Sequence, residues 1–250
     1  MKYLNGKVAL ITGSARGLGK AIAERYAALG ANIVINYSTD RASADEVVNN
    51  IVAMGVKAIV VQADISKVAD IEKLFSEAKT FFGKIDIVVA NAGIELVELP
   101  VTEFTETQFD KVFSINAKGS YFTIQQAAKH VEDNGRIIYI ASSTTSFPVK
   151  GMAVYGGSKT APRYLVDILS KEIGHRGVTV NSIIPFAIDN AGIFVDPKAH
   201  PALRKQLVDS CPMGRLGTVQ DVANIAEFFA SDLSSFVNGQ HLLANGGATN

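Results

Sequence analysis

Short apolar runs alternate with longer amphipathic segments from one end of the chain to the other. The apolar runs predict strands at Val8–Ile11, Ile33–Asn36, Ala58–Val61, Ile85–Ala90, Arg136–Ala141, Val178–Ile184 and Gln240–Leu243. The amphipathic segments predict helices at Asp40–Met54, Val68–Phe82, Thr107–Val131, Tyr155–Gly174 and Val219–Ser231. Strands that are apolar along their whole length are buried on both faces. The pattern therefore predicts an α/β fold, with a parallel sheet, right-handed crossovers and helices on both faces.

One segment, at about residues 187–217, interrupts this alternation. It is rich in proline, has little strand character and contains one short helical stretch, Pro201–Ser210. An insertion of this length in a compact domain is usually either functional or disordered. Its apolar residues Ile193, Phe194 and Leu203 favour a lid that closes over a substrate, rather than a surface excursion.

Composition limits the class of protein and its partners. The 250 residues suffice for one domain with a sizeable core, and nothing in the sequence requires a second domain. Basic and acidic residues both number 24, so the net charge is zero and gives no electrostatic basis for binding nucleic acid or an anionic membrane. No apolar run is long enough to span a bilayer.

Cysteine and histidine usage predicts neither a disulfide nor a metal site. Cys211 is the only cysteine, which excludes an intrachain disulfide and favours a reducing compartment. The N-terminus runs into the first strand without an apolar secretion segment, so we expect a cytoplasmic protein. The histidines are scattered and show no spacing typical of metal ligands. They are His130, His175, His200 and His241.

A glycine-rich turn follows the first predicted strand and precedes a helix that extends through Leu29. Its sequence is Thr12-Gly13-Ser14-Ala15-Arg16-Gly17-Leu18-Gly19. In dinucleotide-binding folds such glycines allow a tight turn, close approach of the backbone to a pyrophosphate, and close packing of helix on sheet. Backbone N–H groups at the helix N-terminus would then face the anion. The motif alone could be a plain turn, but the strand before it and the helix after it favour the dinucleotide site.

Tyr155, Lys159 and Ser142 are the strongest candidates for a catalytic centre. Tyr155 and Lys159 are four residues apart, a spacing that is common on solvated helix faces and places both side chains on one face. Ser142 comes thirteen residues before the tyrosine, at the end of a predicted strand. A nearby ammonium group favours the phenolate, so Lys159 is expected to lower the pKa of Tyr155. A phenol, an ammonium group and a hydroxyl in this arrangement suit the reduction of a ketone.

With these motifs the chain resembles a classical short-chain dehydrogenase/reductase over essentially its full length. The further motifs that carry the resemblance are Ala63-Asp64, Asn91-Ala92-Gly93, Ser114-Ile115-Asn116 and Gly246-Gly247. They stand in the family's order and at its separations. Residues 82–87 and 109–113 add a finer similarity to NADPH-dependent carbonyl reductases, of the 3-oxoacyl-carrier-protein reductase and polyhydroxynaphthalene reductase type.

The resemblance implies a single Rossmann-type domain over residues 1–250, with a doubly wound seven-stranded sheet, in a homotetramer or, failing that, a dimer. It also implies a catalytic tetrad of Asn116, Ser142, Tyr155 and Lys159. Tyr155 would be the general acid, Ser142 would bind the substrate oxygen, and Lys159 would hold the nicotinamide ribose. Asn116 would bend its helix and anchor a water. The residues expected at the cofactor are Gly13, Ser14, Arg16, Gly17, Leu18, Gly19, Tyr37, Ser38, Asp64, Ile65, Asn91, Ala92, Gly93, Tyr155, Lys159, Pro185 and Ile188.

The end of the second strand bears on which nicotinamide cofactor is expected. NAD-dependent relatives carry an acid there that binds the adenosine ribose hydroxyls. This chain has Tyr37 and Ser38 instead, so no carboxylate at that position repels a 2′-phosphate, although Asp40 is close by. Arg16 lies inside the glycine loop, where its guanidinium could reach the same phosphate. These residues favour NADPH over NADH.

The chain departs from the family pattern after the sixth strand. The family usually reads Pro-Gly-x-Ile-x-Thr there; Pro185 and Ile188 fit this pattern, and Phe186 and Asp189 are interpreted as replacing its glycine and threonine. Phenylalanine would be strained at a position that needs a positive φ. Its ring would also occupy volume near the nicotinamide and the substrate. We therefore expect an altered substrate pocket with the catalytic residues intact.

Three functions are compatible with these residues. The favoured one is NADPH-dependent reduction of a ketone, such as a β-keto ester, a 3-oxoacyl group or an aryl ketone, to a secondary alcohol. An NAD(P)-dependent alcohol dehydrogenase that works in the oxidative direction would use the same residues. A catalytically silent, nucleotide-binding regulatory protein is the third, but its mark would be a degraded tetrad, and all four residues are present.

Overall fold

Seven parallel strands form one sheet in the computed structural model, which describes residues 2–196 and 198–248. The strands are β1 (Val8–Ile11), β2 (Asn32–Tyr37), β3 (Ala58–Gln62), β4 (Ile87–Ala90), β5 (Arg136–Ile140), β6 (Thr179–Pro185) and β7 (His241–Ala244). Their spatial order is β3-β2-β1-β4-β5-β6-β7, so the chain winds outward from β1 to β3, returns to place β4 beside β1, and winds outward again. This order confirms the predicted doubly wound sheet, and its switch point between β1 and β4 is where such sheets bind ligands.

Helices cover both faces of this sheet. They are α1 (Gly17–Ala28), α2 (Arg41–Ala53), α3 (Val68–Phe82), α4 (Glu106–Phe113), α5 (Ser120–His130), α6 (Ala153–Ile173), α7 (Pro201–Ser210) and α8 (Val219–Ala230). Helices α1, α2 and α8 pack on one face, and α3, α5 and α6 pack on the other. Among the described residues, no helix combines the length and apolar character needed to cross a membrane.

Neighbouring residues of the central strands belong to opposite cores. Leu10 and Val34 are fully buried beneath α3, α5 and α6, whereas Ile11 and Ile35 are fully buried beneath α1, α2 and α8. Successive side chains of a strand point to opposite faces, so a strand covered on both sides needs apolar residues at every position. This explains the continuous apolar runs in the sequence.

The segment predicted as one helix over Thr107–Val131 is interrupted. Helices α4 and α5 are joined by a π-helical turn, Ser114–Gly119, which contains the buried Asn116. At Gly119 an added Cβ would lie 2.6 Å from the carbonyl oxygen of Ile65, so the turn passes too close to the chain for any side chain there. A π turn is wider than an α turn, and such turns are frequent at functional sites. A single extra residue in one helical turn changes the hydrophobic periodicity too little for the sequence to reveal the π turn.

The 187–217 segment leaves the sheet and returns to nearly the same point. Ile188 and Gly217 form an isolated parallel bridge, in which Asp189 N donates to Gly217 O at 2.8 Å. Between its ends lie a 3₁₀ turn, Gly192–Phe194, and helix α7, which has the predicted bounds. Pro197, which belongs to this segment, lies outside the described residues. Because both ends are tied together, the segment projects from the sheet as one excursion.

Candidate active site

The candidate residues come together at the carboxyl edge of the sheet. The glycine loop follows β1, Asn91–Gly93 follows β4, Ser142 lies two residues beyond β5, and Pro185 ends β6. Helix α6 places the Tyr155 phenol close enough to Ser142 for the serine side chain to lower its pKa. Parallel strands bring these segments together because all their carboxyl ends lie on one side of the sheet.

The glycine loop has the conformations that its glycines were predicted to supply. Gly13 and Gly17 have φ values of +62° and +54°, in the left-handed region that favours glycine. An added Cβ on Gly19 would lie 2.4 Å from Gly13 O and 2.6 Å from Asn91 Nδ2, so only glycine lets α1 approach the loop this closely. Arg16, the residue before α1, makes no side-chain cap, which leaves the first backbone N–H groups of the helix to an anion.

Asn36, which sequence reasoning did not single out, fastens the glycine loop to the sheet. Its buried side chain accepts a hydrogen bond from Gly13 N at 3.0 Å and donates to three backbone carbonyls, those of Tyr37, Val61 and Ala63. Its own N–H donates to Ser14 Oγ at 3.0 Å. A polar residue inside an otherwise apolar strand run was the available signal, since buried amides are retained where their hydrogen bonds are satisfied.

The residues after β4 make room for the candidate catalytic side chains. Asn91 Nδ2 donates to Thr12 O at 2.9 Å and to Gly13 O at 3.2 Å, which ties β4 to the glycine loop. An added Cβ on Gly93 would lie 2.9 Å from Lys159 Nζ and 3.1 Å from Asn116 Oδ1. A glycine at this position therefore lets the lysine and the asparagine reach the site.

Asn116 joins the π turn to the loop after β4 and to α6. Its Oδ1 accepts from Ile94 N at 2.8 Å, and its Nδ2 donates to Ile94 O at 2.8 Å and to Ser158 Oγ at 3.0 Å. The side chain is fully buried, and its bonds lie close to Lys159 on one side and to the loop on the other. The interruption of the helix at this residue agrees with the expected bend, and the water that it is expected to anchor stays a prediction.

Tyr155 and Lys159 are both buried, and their pKa values shift in opposite directions. Burial lowers the pKa of Lys159 to about 8, and its ammonium group donates to Ile140 O at 3.1 Å. Burial, together with the negative charge of Glu95, raises the pKa of Tyr155, and the Ser142 side chain only partly opposes this. The predicted lowering of the Tyr155 pKa by Lys159 is therefore wrong for the protein alone, because the cost of a buried phenolate dominates.

Ser142 is held by the turn that follows β5. Its Oγ accepts from Thr144 N at 3.3 Å and from Thr144 Oγ1 at 3.0 Å, and it caps the 3₁₀ turn Ser143–Thr145. Since other groups donate to the oxygen, the hydroxyl hydrogen of Ser142 remains available for Tyr155 or for a ligand. The role of Ser142 in binding the substrate oxygen stays a prediction.

The expected adenosine end of the site lies beyond β2. Tyr37 is the last residue of β2, and the guanidinium of Arg41 lies 5.9 Å from the centre of its ring. The Asp40 carboxylate caps α2 by accepting from Ser43 N and Ser43 Oγ, which lowers its pKa, and the nearby charge of Arg16 adds to this effect. Asp40 is therefore committed to the helix, and Arg41 adds a second guanidinium that sequence reasoning missed.

Asp64 and Ile65, both expected at the cofactor, follow β3. Asp64 Oδ1 accepts from Ser66 N at 3.0 Å and from Ser66 Oγ at 2.8 Å, while Oδ2 lies 3.9 Å from Lys67 Nζ. Ile65 is buried and packs against Gly119 of the π turn. Their part in cofactor binding stays a prediction.

The chain after β6 differs from expectation at Phe186, and also at Asp189. Phe186 does not have a positive φ, so no backbone strain results from the missing glycine. It lines a cavity of about 280 Å³ with Cys211, Met213 and Leu242, whereas we expected its ring beside the substrate. None of the tetrad residues lines this cavity.

The interpretation of Asp189 is also wrong. Counted from Pro185, the threonine position of the family pattern falls on Asn190, one residue later. Asp189 accepts from Arg204 Nη1 at 2.8 Å and thereby joins the start of the excursion to α7. The acid belongs to an ion pair within the 187–217 segment.

One further group resembles a hydrolytic triad but has no access to substrate. Ser182 Oγ lies 2.6 Å from His241 Nδ1, and His241 Nε2 lies 3.0 Å from Asp167 Oδ1. Ser182 is fully buried within β6, between β5 and β7. A buried strand residue cannot attack a substrate, so the group ties β6, β7 and α6 together.

Comparison with known proteins identifies the family of the chain. Residues 13–249 match the family profile described as Enoyl-(Acyl carrier protein) reductase. The hydroxynaphthalene reductase-like protein Arp2 of Metarhizium brunneum is 38% identical over 259 aligned residues, which cover 99% of this chain and 96% of that protein.

Solved structures give the same result. A short chain dehydrogenase from Burkholderia cenocepacia in complex with NADP has a TM-score of 0.92 at 32% identity, covering 98% of both chains. The angucycline C-6 ketoreductase LanV with bound NADP has a TM-score of 0.91 at 32% identity, covering 98% of this chain and 96% of that one. The chain therefore belongs to the short-chain dehydrogenase/reductase family, and it is an oxidoreductase that acts on carbonyl or hydroxyl groups.

Proposed function

We propose that the protein is an NADPH-dependent carbonyl reductase that converts a ketone to a secondary alcohol. The observation that carries this proposal is the buried pair of Tyr155 and Lys159, one helical turn apart, with Ser142 beside the phenol. This group lies at the sheet edge that also carries the glycine loop. Relatives named as reductases, and neighbours crystallised with NADP, support the same conclusion.

The residues present fit a nicotinamide dinucleotide. Because Gly13 and Gly19 lack side chains, the glycine loop packs closely against Ala92 and α1, and the uncapped start of α1 leaves backbone N–H groups that would bind a pyrophosphate. Arg16 and Arg41 flank the end of β2, where their charges would favour a 2′-phosphate. Asp40 is occupied as the cap of α2, so it gives little reason to expect NADH instead.

When bound, the cofactor supplies the hydride for the carbonyl carbon. Tyr155 holds the carbonyl oxygen by a hydrogen bond and gives it the phenolic proton, and its raised pKa keeps the phenol protonated at neutral pH. The Ser142 hydroxyl donates a second hydrogen bond to the same oxygen and stabilises the developing negative charge. Lys159, while protonated, stabilises the phenolate that forms, and we infer that it also holds the ribose.

We further propose that residues 187–217 form the lid over this site within a single domain. The Gly192–Phe194 turn contacts Glu95, whose carboxylate lies 3.4 Å from the Tyr155 hydroxyl. The excursion is thus already in contact with the group that reaches the candidate acid. Its closed base, at Ile188 and Gly217, lets it move as one piece.

A homotetramer is proposed from the exposed apolar residues on the outer helices. Phe109 on α4, Tyr121 on α5 and Tyr164 on α6 are 42%, 44% and 66% exposed, and subunit interfaces on these helices would cover them. Light scattering coupled to size-exclusion chromatography tests this directly. A monomer at micromolar concentration overturns the proposed tetramer. A dimer would show that only one of the exposed helix faces forms an interface.

The test of function is NADPH consumption by the purified protein against a panel of ketones. The panel contains an acetoacetyl thioester, a small β-keto ester and a bulky aryl ketone, and NADH is run in parallel. Turnover that is abolished in the Tyr155→Phe variant supports the reductase. Turnover only with alcohols and oxidised cofactor would show a dehydrogenase, and tight NADPH binding without any turnover would show a regulatory protein.

A further inference from the structure

Glu95 connects the candidate proton donor to the excursion that covers it. It lies on the loop after β4, two residues beyond Gly93. Its Oε1 accepts from the Tyr155 hydroxyl at 3.4 Å, and its Oε2 accepts from Ile193 N at 2.8 Å. The two carboxylate oxygens thus join the phenol on one side to the 187–217 segment on the other.

The position of this carboxylate depends on Gly192. An added Cβ on Gly192 would lie 2.5 Å from Glu95 Oε2 and 2.7 Å from Oε1, and the φ of this glycine is +56°. Any other residue at position 192 would be strained and would also displace the acid. The absence of a side chain at Gly192 therefore leaves space for the Glu95 carboxylate next to the candidate active site.

Glu95 borders the place where the substrate would bind. A ketone reduced here accepts its proton from Tyr155, so its carbonyl oxygen lies within hydrogen-bond distance of that hydroxyl. A group that is already 3.4 Å from the hydroxyl borders the carbonyl oxygen and the atoms attached to the carbonyl carbon. The negative charge of Glu95 acts on the groups at this place: it raises the pKa of Tyr155 and partly opposes the lowering of the Lys159 pKa by burial.

Resting on the proposed function, we propose that Glu95 selects substrates by charge and hydrogen bonding. The substrates it favours are ketones with a hydroxyl group on the carbon next to the carbonyl, which can donate to the carboxylate. Ketones with a carboxylate or phosphate at the same position are rejected, because they would bring a second negative charge within a few ångströms of the first. The substrate class is therefore a neutral hydroxyketone.

A purely structural role for Glu95 is the competing explanation. In that case the carboxylate would serve only to hold Ile193 N, and its charge would not matter. The Glu95→Gln variant separates the two explanations, because glutamine keeps an oxygen that can accept from Ile193 N but removes the charge. The Glu95→Ala variant removes both.

The experiment compares three aryl ketones that differ in one substituent next to the carbonyl. They are acetophenone, phenacyl alcohol, which adds a hydroxyl group, and benzoylformate, which has a carboxylate. In Glu95→Gln we expect the ratio of kcat/KM for benzoylformate to that for acetophenone to rise at least about tenfold, or ~1.4 kcal/mol. The ratio for phenacyl alcohol to acetophenone should fall in Glu95→Ala. Glu103→Gln removes the same charge from an exposed position on the same loop and should keep the wild-type ratios.

A binding measurement keeps the test independent of turnover. The corresponding alcohols are phenylethanol, phenyl glycol and mandelate, and their dissociation constants are measured by calorimetry with NADPH present, so that no reaction can occur. If the wild type reduces no ketone, the proposed function fails, but a tenfold gain in mandelate affinity relative to phenylethanol in Glu95→Gln still supports charge selection. Ratios that stay within about twofold of the wild type in Glu95→Gln, whether in turnover or in binding, overturn it.

Discussion

The candidate site has a floor, formed by the glycine loop and the ends of the strands, and a cover, formed by residues 187–217. The floor and the cover are held by different kinds of contact. On the floor, buried amides such as those of Asn36 and Asn116 make three or more hydrogen bonds each, mostly to backbone groups. Beyond the backbone bridge at its base, the cover is held by contacts of partly exposed charged groups, Glu95 to Ile193 N and Asp189 to Arg204. Buried networks fix geometry, whereas exposed charges contribute little stability. We infer that the floor positions the chemistry and the cover selects the substrate.

The largest effect should come from removing the proton donor on the floor. Tyr155→Phe should lower kcat by about 10²–10⁴-fold, the usual contribution of general acid catalysis. NADPH affinity and the melting temperature should change little, because the lost hydroxyl has few neighbours among the described residues, namely Ser142 and, at 3.4 Å, Glu95. Steady-state kinetics and calorimetry measure both quantities.

Tyr164→Phe is the matched control for this variant. Tyr164 lies on the same helix and is 66% exposed, so its hydroxyl should not matter for turnover. A Tyr155→Phe enzyme that keeps more than about a tenth of the wild-type kcat would remove this residue from the mechanism.

The next largest effect should come from breaking the buried amide network. Asn36→Ala leaves Gly13 N without its acceptor and removes one donor from three backbone carbonyls, of which that of Tyr37 keeps its bond from Ala63 N. Because an unpaired buried polar group costs ~1–3 kcal/mol, the free energy of unfolding should fall by about 2–4 kcal/mol. The Kd for NADPH should rise as well, since the glycine loop loses its support. Urea unfolding and calorimetry test the two effects.

Asn50→Ala provides the comparison, since Asn50 is exposed on α2. It should change the free energy of unfolding by no more than about 0.5 kcal/mol. If Asn36→Ala behaves in the same way, the network does not fix the floor.

The pH dependence of turnover should report Lys159. Its pKa of about 8, lowered by burial and partly raised again by Glu95, means that the ammonium group loses its proton as pH rises through that value. The stabilising charge beside the Tyr155 phenolate is then lost, so kcat for ketone reduction should fall above about pH 8. Lys159→Arg keeps the charge and should remove this fall; a wild-type profile that is flat to about pH 9.5 contradicts the assignment.

The lowered pKa of Lys159 also affects stability, but stability should rise with pH where kcat falls. The ordinary lysine pKa of 10.5 applies to the unfolded chain, and the folded value is about 8. Between these values the unfolded chain binds the proton and the folded chain does not, so the contribution of Lys159 to the free energy of unfolding increases with pH. Urea unfolding of Lys159→Met should lack this increase.

Much of the fold and the tetrad could be predicted because both are local patterns. The bounds of β1, α3 and α7 agree with the predicted ones, since apolar periodicity and flanking turn residues mark them directly. The spacing of Tyr155 and Lys159 is likewise set within one helix. Family resemblance then supplied the order in which the strands pair.

The parts that were missed depend on contacts between distant segments. Glu95 is 60 residues from Tyr155 in sequence, and Asn36 is 23 residues from Gly13, so no local pattern relates them. The Tyr155 pKa was predicted in the wrong direction for a similar reason. The spacing revealed a neighbouring charge, but not that the phenol is buried or that an acid stands beside it.

The smallest effect should come from loosening the cover. Arg204 donates to Asp189 at 2.8 Å, and its guanidinium lies 5.1 Å from the Phe194 ring centre. Its Nε and Nη2 are buried without a hydrogen-bond partner among the described residues, which offsets much of what the pair contributes to stability. Arg204→Met should therefore lower the free energy of unfolding by less than about 1 kcal/mol.

Arg204→Met should weaken substrate binding rather than slow the chemical step. A cover that closes less firmly weakens substrate and transition state equally, so KM should rise about threefold to tenfold while kcat changes little. Lys205→Met removes an exposed ion pair with Asp209 from the same helix and should change neither constant. If Arg204→Met instead lowers kcat as far as it raises KM, the cover takes part in positioning the reacting groups, and the division between a catalytic floor and a selective cover fails.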